Sequence, residues 1–374
     1  MGWKETTGFE PLVKYIRNKI QTSPHRAISF RDFMDCCLYH DPYGYYMNSR
    51  TKVGKEGDFY TSSAIGNIMG EILAKYMVDL FEQDPKQKKL LSIVEWGGGT
   101  GRLAGQILDE LKHKFPAHYA ILDYTIIEQS PFHKTLQREL LIEHESRVCF
   151  KSPDEWFESG SKEGSMILSN ELLDAFPVHR LQFIHHCLHE IYVVWDEQHQ
   201  AFREKLLPME NEELNQYILA QELVLREGQI YEINLAASEW IKQIGDWMKS
   251  GHVLTIDYGD VSKEIYAEHR MNGTLMCYRK HQAQDDPYQY IGVQDITAHI
   301  DFSALIAAGE QAGFTGYSLQ TQKDFLIKGG ILDKLQDHPS GDPFHPIAKK
   351  NRAIRQILVS DQMSELFKVL VQTR

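Results

Sequence analysis

The sequence predicts an α/β fold with a doubly wound parallel sheet. From residue 90 onward, short apolar runs alternate with amphipathic helices, and this alternation is typical of βαβ units. A glycine-rich segment, residues 97–101, lies between the first apolar run and a helix, where such folds bind ligands. Acidic residues follow the next strands, at Glu128 and Asp154. Together these observations predict a ligand site at the carboxyl edge of the sheet.

The elements of the sheet domain follow from hydrophobic spacing. Strands are predicted at residues 90–96, 122–128, 148–150, 165–170 and 252–259. Helices are predicted at residues 102–115 and 131–145. The interval after the fourth strand is too long for one crossover, so we expect an insertion of antiparallel strands over 178–210 and helices over 211–249. Residues 273–330 are expected to return to the sheet, with a helix over 302–312, and helices over 347–358 and 361–371 close the chain.

The first part of the chain is predicted to be a helical lobe. Residues 8–21 have helical apolar spacing, Ser29 can cap a second helix, and residues 65–81 are amphipathic. Between them lies an aromatic-rich loop that is long enough to suggest binding. The predicted domains are therefore a helical and aromatic-loop lobe over 1–85, a sheet domain over 86–330 with its insertion at 178–250, and C-terminal helices over 331–374.

Charge and composition exclude several classes of protein. Lys and Arg number 40 against 52 Asp and Glu, so the net charge is −12, which argues against a general nucleic-acid binder. The five cysteines show no paired spacing and are expected to be reduced. The first residues lack a signal or transit pattern, and no apolar run is long enough for a membrane span. These features predict a cytoplasmic protein; they do not determine its oligomeric state.

The glycine segment favours one kind of nucleotide loop. A P-loop fails because Arg102 and Leu103 follow the last glycine. A dinucleotide fingerprint can be fitted at Gly99, Gly101 and Ala104, but it leaves Gly97 unexplained. The pattern acid-x-Gly-x-Gly-x-Gly is complete over residues 95–101, and it is the loop of S-adenosylmethionine-dependent methyltransferases. In that arrangement Glu128 can accept hydrogen bonds from the ribose hydroxyls, and Asp154 can bind the adenine amino group.

A series of motifs extends the likeness beyond this loop. In chain order they begin at His40 (HDPYGYY), Gly57 (GDFYTS), Glu95 (EWGGGTG), Ser169 (SNELLDAFPV), Ile256 (IDYG), Gly273 (GTL) and Gly292 (GVQDITAHIDF). The chain resembles the MidA family of class I methyltransferases, which includes arginine methyltransferases. The resemblance implies an α/β, Rossmann-like class I methyltransferase sheet with an N-terminal helical lobe and a β/α insertion after the fourth strand. It also implies S-adenosylmethionine as the cofactor, bound by Glu95, Gly97, Gly99, Gly101, Glu128, Gln129 and Asp154, with Asp58 and Thr61 closing over it.

The acceptor is expected beyond the fourth strand. Asn170, Glu171 and Asp174 are the candidate catalytic residues. Glu171 and Asp174 are three apart, so in a helix or tight turn they share one side and can clamp a guanidinium between two carboxylates. Asn170 and Asp174 can instead be turn and cap residues. His281, Asp295 and Thr297 are candidates for the acceptor pocket, with structural capping as the alternative.

The sequence predicts a methyltransferase that acts on a protein side chain, with arginine favoured by the resemblance. No metal site is expected, because His185, Cys187 and His189 have no partner group at metal-ligand spacing. Two alternatives stay open: a NAD-binding oxidoreductase, and an assembly factor that binds cofactor and client without catalysis. The expected partner is a protein with a cationic side chain.

Overall fold

The structure is a computed structural model that describes residues 8–50, 52, 66–83, 90–160, 163–337, 342, 344–359 and 363–374. The chain divides into two compact units. One, the parallel-sheet unit, comprises Tyr60–Leu172, Gln243–Asp257 and Ala312–Arg374. The other, the antiparallel-sheet unit, comprises Met1–Phe59, Leu173–Lys242 and Tyr258–Gln311.

The secondary structure alternates between helices and strands over most of the described chain. The helices are Glu10–Thr22 (α1), Phe30–Tyr39 (α2), Ile68–Glu82 (α3), Arg102–Lys114 (α4), Pro116–Ala120 (α5), Pro131–Leu140 (α6), Pro153–Glu158 (α7), Glu212–Ala220 (α8), Leu235–Trp247 (α9), Ser262–Ile265 (α10), Phe302–Gln311 (α11), Gln322–Lys328 (α12), Pro346–Val359 (α13) and Met363–Leu366 (α14). The strands are Ile28–Ser29 (β1), Leu91–Trp96 (β2), Leu122–Ile127 (β3), Val148–Lys151 (β4), Glu163–Asn170 (β5), His179–Ile184 (β6), Cys187–Asp196 (β7), Ala201–Pro208 (β8), Ile230–Ile233 (β9), Ser250–Asp260 (β10), Met276–Arg279 (β11), Gln282–Gln284 (β12), Asp295–Thr297 (β13), Ile300–Asp301 (β14), Gly316–Thr321 (β15) and Phe367–Thr373 (β16).

The sheet of the parallel-sheet unit has the strand order β15-β16-β10-β5-β2-β3-β4. The five strands from β10 to β4 in this order are each paired in parallel with the next one: β10 with β5, β5 with β2, β2 with β3, and β3 with β4. From β2 the chain builds outward to β3 and β4, and it then returns to place β5 on the other side of β2. The point between β2 and β5 is therefore the switch point, where a doubly wound sheet opens a crevice for ligands. This confirms the predicted fold class.

The last strand corrects one prediction. Residues 361–371 were predicted to be helical, but Phe367–Thr373 is strand β16, antiparallel to β15. Gly251 and Arg374 exchange both backbone hydrogen bonds, at 3.2 and 3.0 Å, which is the pattern of an antiparallel pair with β10. Val369 and Leu370 are both fully buried. A strand buried on both faces has a continuous apolar run, which hydrophobic periodicity cannot distinguish from a buried helix.

The antiparallel-sheet unit contains two small sheets. The first has the order β1-β7-β6-β9, with β8 also paired to β7, and the second has the order β12-β11-β13. Strand β9 lies in the region that was predicted to be only helical, and β11 to β13 form their own sheet where a return to the main sheet was predicted. Strands β9 and β11 to β13 are three or four residues long, too short for a clear period-2 pattern.

The helices α1 and α2 pack into the core of this unit. Leu12, Ile16 and Ile20 recur at helical spacing along α1 and are buried. The Ser29 hydroxyl accepts the backbone N–H of Asp32 at 3.1 Å, so the predicted N-cap of α2 is present. Both helices bury their apolar faces with residues from β7, β8 and the segment 275–298.

Candidate functional site

The glycine loop connects β2 to α4 at the switch point. Gly97, Gly99 and Gly101 have φ values of +69°, +52° and +79°, a left-handed conformation that L side chains rarely adopt. A Cβ atom on Gly97 would lie 2.7 Å from Leu172 Cδ1, whereas one on Gly99 would meet, among the described residues, only the Gly97 carbonyl at 4.0 Å. The loop therefore packs against the segment after β5 at Gly97, and no described side chain crowds Gly99.

Glu95 lies one residue before the end of β2 and its side chain is almost completely buried. Tyr124 on β3 donates its hydroxyl to Glu95 Oε2 at 2.8 Å. Glu95 is paired with Ile126 in the sheet, so Tyr124 is its diagonal neighbour on the same face. Burial raises the pKa of Glu95 from 4.5 to about 7, although the Tyr124 hydrogen bond opposes this shift.

Glu128 follows β3 and is also buried. Its Oε1 accepts the backbone N–H of Ser130 at 2.9 Å, and its Oε2 accepts Gln137 Nε2 at 3.2 Å. Burial raises the pKa of Glu128, while the backbone N–H groups of Ser130, Gln129 and Gly99 and the Gln137 amide act in the opposite direction. Gln129 therefore acts on the Glu128 carboxylate through its backbone N–H, whereas its side chain is exposed.

Asp154 lies in the first turn of α7, after β4, and is exposed. The helix begins at a capping box in which Ser152 and Glu155 each accept the other's backbone N–H, at 3.1 and 2.7 Å. This cap fixes the residue at which α7 begins and therefore where Asp154 lies after β4. Glu95, Glu128 and Asp154 thus lie at or beyond the carboxyl ends of neighbouring parallel strands, the edge at which doubly wound sheets bind ligands.

Asn170 and Glu171 lie at the end of β5, across the switch point from the glycine loop. Glu171 has φ +52°, which is rare for a residue with a side chain, and its backbone N–H donates to Ile256 O at 2.9 Å. The backbone N–H of Leu172 donates to Asp257 Oδ2 at 3.2 Å. Asn170 Nδ2 donates to Glu171 Oε1 at 3.3 Å, and Asn170 Oδ1 is buried with no hydrogen-bond partner among the described residues.

The remaining acceptor candidates belong to the antiparallel-sheet unit. Asp174 lies in the 3-10 turn Leu173–Ala175 and is buried. Asp295, on β13, is buried and accepts the Tyr46 hydroxyl on both carboxylate oxygens, at 2.8 and 2.9 Å. The charges of Asp295 and Asp174 both add to burial in raising the pKa of Tyr46, so the two carboxylates lie in the same neighbourhood.

Thr297 and His281 are the other two acceptor candidates, and neither side chain carries a carboxylate. Thr297 is paired with Met276 across β11 and β13, and its hydroxyl donates to the Met276 carbonyl at 3.5 Å. His281 is exposed in the two-residue turn between β11 and β12, where it and Lys280 both have positive φ. Asp58 and Thr61 lie outside the described residues.

The sequence did not indicate four side chains of these two neighbourhoods: the half-buried Tyr46 and the buried Tyr124, Gln137 and Asp257. Asp257 lies inside the fifth predicted strand, over 252–259, so the strand-end rule that identified Glu128 did not select it. Tyr124 could have been found from the period-2 alternation along β3, which puts it on the face of Ile126. Gln137 and Tyr46 carry no signal in a single sequence, because their partners are distant along the chain.

No group of three or more His, Cys, Asp or Glu side chains in the described part of the chain is arranged to hold a metal ion. His185 lies in the turn before β7, not on the strand with Cys187 and His189 as the sequence suggested. Over the residues that the structure describes, no helix has the length and hydrophobicity that a membrane crossing needs.

Comparison with known proteins agrees with this geometry. Residues 72–319 match the family described as "Putative S-adenosyl-L-methionine-dependent methyltransferase". A crystal structure from Burkholderia thailandensis, solved with S-adenosyl-homocysteine bound, is 29% identical with a TM-score of 0.83, over 98% of this chain and 92% of that one. The mitochondrial protein arginine methyltransferase NDUFAF7 of Bos taurus is 28% identical over 89% of this chain and 78% of its own. Its homologue from Drosophila melanogaster is 27% identical over 83% and 72%. The chain therefore belongs to this family, and it is a MidA-like class I methyltransferase that uses S-adenosylmethionine.

Proposed function

We propose that this enzyme methylates an arginine side chain of a protein, with Glu171 binding the guanidinium. Two curated relatives carry the name protein arginine methyltransferase, which supports the acceptor class. The observation that carries the proposal is the left-handed backbone of Glu171 at the switch point. A left-handed backbone is rare for a residue with a side chain, and at the ligand edge of a doubly wound sheet it supports a functional role for Glu171.

The cofactor residues suit S-adenosylmethionine. Because no side chain of the described residues crowds Gly99, a ligand can approach the backbone of the loop closely. A buried carboxylate such as Glu128 is the acceptor that a ribose diol needs, and Asp154 at the start of α7 is proposed to accept from the adenine amino group. Glu95, Gly97 and Gly101 shape the same loop. Asp58 and Thr61, which were predicted to close over the cofactor, stay predictions.

The chain's own residues supply binding and orientation for the reaction. S-adenosylmethionine, when bound, supplies an electrophilic methyl group. Glu171 accepts the guanidinium N–H groups and holds the nucleophilic nitrogen at one position, and Oε2 can receive the proton that this nitrogen loses. Asn170 orients Glu171 through its 3.3 Å hydrogen bond, and its buried Oδ1 is available to a further N–H of the acceptor. Asp257 fixes the Leu172 backbone and so the turn that carries Glu171.

Asp174, Asp295, Thr297 and His281 are proposed on the acceptor side. Asp174 and Asp295 add buried negative charge, which favours a cationic ligand over a neutral one. Thr297 is proposed to support the position of β13. His281, exposed in its turn, is proposed to contact the polypeptide that carries the acceptor. These four assignments rest on position and charge.

The test is the Glu171→Gln variant, which keeps the size of the side chain and removes its charge. We expect kcat/KM for an arginine-containing peptide to fall at least about 100-fold, because the charged clamp and proton acceptor are lost. The affinity for S-adenosylhomocysteine should change by less than about threefold. The matched control is Glu163→Gln, an exposed glutamate at the other end of β5, which should retain the wild-type rate.

The acceptor itself is identified by hydrolysis of the labelled product. With tritiated cofactor, the label should elute with methylated arginine after acid hydrolysis of the protein acceptor. Label in another amino acid contradicts the arginine proposal, and a Glu171→Gln variant with wild-type kcat/KM contradicts the clamp. Cofactor binding without transfer to any acceptor would instead favour the non-catalytic assembly factor.

The prediction of a cytoplasmic location is wrong. The curated relatives that match this chain, from Drosophila melanogaster, Danio rerio and Bos taurus among others, are mitochondrial proteins. They point to a mitochondrial location.

A further inference from the structure

A fully buried glutamine joins the two motifs of the cofactor site. Gln137 lies on α6, and its Nε2 donates to Gly99 O at 2.8 Å and to Glu128 Oε2 at 3.2 Å. Because both neighbours of this nitrogen are acceptors, the amide orientation follows from its surroundings. One side chain thus connects the carbonyl of the glycine loop to the carboxylate after β3.

The glycine loop is also shaped around this side chain. A Cβ atom on Gly98 would lie 3.1 Å from Gln137 Nε2 and 2.8 Å from Ile126 Cγ2. A Cβ atom on Gly101 would lie 3.1 Å from Gln137 Cγ. Both contacts are tighter than ordinary van der Waals separations, so a side chain at either position would displace Gln137. Gly98, which lies outside the Gly-x-Gly-x-Gly pattern, is thereby explained by packing against α6.

We propose that Gln137 is a positioning residue for the cofactor ribose, acting through Glu128. The carboxylate of Glu128 accepts the Ser130 N–H on Oε1 and the Gln137 amide on Oε2, and the backbone N–H groups of Gln129 and Gly99 also act on it. Removal of the Gln137 donor leaves Oε2 without its side-chain hydrogen bond, so the backbone donors alone set the orientation of the carboxylate toward a ribose diol. The inference rests on the proposed contact between Glu128 and the ribose, and it does not depend on the identity of the methyl acceptor.

The test compares two ligands by calorimetry: S-adenosylhomocysteine, and the analogue that lacks both ribose hydroxyls. For the wild type we expect the diol to improve the dissociation constant about tenfold or more, as hydrogen bonds to a charged group do. In Gln137→Met, the new side chain has a similar length and no N–H donor. The ratio of the analogue's dissociation constant to that of S-adenosylhomocysteine should then fall to within about threefold of one, while the dissociation constant of the analogue changes little. A merely structural role would weaken both ligands equally and leave the ratio unchanged.

A second variant and a control make the outcome decisive. Gln137→Asn keeps an amide that is one methylene too short to reach both acceptors, and we expect the same loss of the ratio. Gln322→Met removes another buried glutamine, on α12, and should retain the wild-type ratio. A wild-type ratio near one overturns the assignment of Glu128 to the ribose and this inference with it. A large ratio that survives in the folded Gln137 variants overturns the inference alone.

Discussion

Glu95 is a carboxyl group that the fold removes from water. It belongs to the cofactor loop motif, yet its hydrogen bond from Tyr124 and its near-complete burial are features of a core residue. Burial raises its pKa to about 7, so a substantial share of the folded molecules carry it protonated near neutral pH. The charge state of the cofactor loop is therefore sensitive to pH in the physiological range.

This shift predicts a pH-dependent stability. The unfolded carboxyl ionises near its ordinary pKa of 4.5, whereas the folded one ionises near 7, so the folded state holds a proton that the unfolded state has released. The stabilisation is fully present below pH 4.5 and is lost as pH rises through 7. Without cofactor, Glu95→Gln should match the wild type in free energy of unfolding at about pH 4 and exceed it by up to about 3 kcal/mol at about pH 8.

Urea denaturation at both pH values measures this difference. Glu163→Gln, in which an exposed carboxyl is replaced, serves as the control and should show a constant difference from the wild type across the range. If the difference between Glu95→Gln and the wild type does not grow with pH, the carboxyl is already ionised in the folded protein.

At the scale of elements, the central strands of the parallel sheet were the easiest to predict. β2, β3, β5 and β10 are apolar runs bounded by glycine or acidic residues, and they lie within a few residues of their predicted positions. The failures have a common physical cause. β9 and β11 to β13 are so short that partners elsewhere in the chain decide their conformation, and β16 is buried on both faces, so its hydrophobic pattern has no period.

Shortening a single buried side chain of β16 is expected to reduce the free energy of unfolding strongly. Leu370 is fully buried between β10 and β15, so Leu370→Ala leaves a cavity and should lower the free energy of unfolding by about 2–5 kcal/mol. Leu332→Ala makes the same chemical change at a side chain that is 48% exposed, and it should cost less than about 1 kcal/mol. Equal effects of the two substitutions in urea denaturation would contradict the central position of β16.

At the scale of the whole molecule, the positions of the candidate site residues were predictable where they depend on strand ends and not where they depend on tertiary contacts. Glu95 and Glu128 were found because parallel strands bring their carboxyl ends to one edge. Gln137, which bonds to Gly99 and Glu128, lies 38 and 9 residues from them in sequence. Hydrophobic spacing and short motifs do not indicate such a contact, which arises from the packing of α6 against the glycine loop.

The net charge of −12 leads to a prediction about substrate encounter. An acidic protein attracts a cationic peptide by long-range electrostatic forces, and dissolved salt screens these forces. Association should therefore weaken as ionic strength rises. We expect kcat/KM for a basic arginine peptide to fall several-fold between about 50 and 500 mM salt, while kcat stays constant because the bound geometry is unchanged. A peptide with acidic residues beside the same arginine should be the poorer substrate at low salt and approach the basic one at high salt. Steady-state kinetics on both peptides measure this, and equal salt responses would show that the acidic surface does not steer the acceptor.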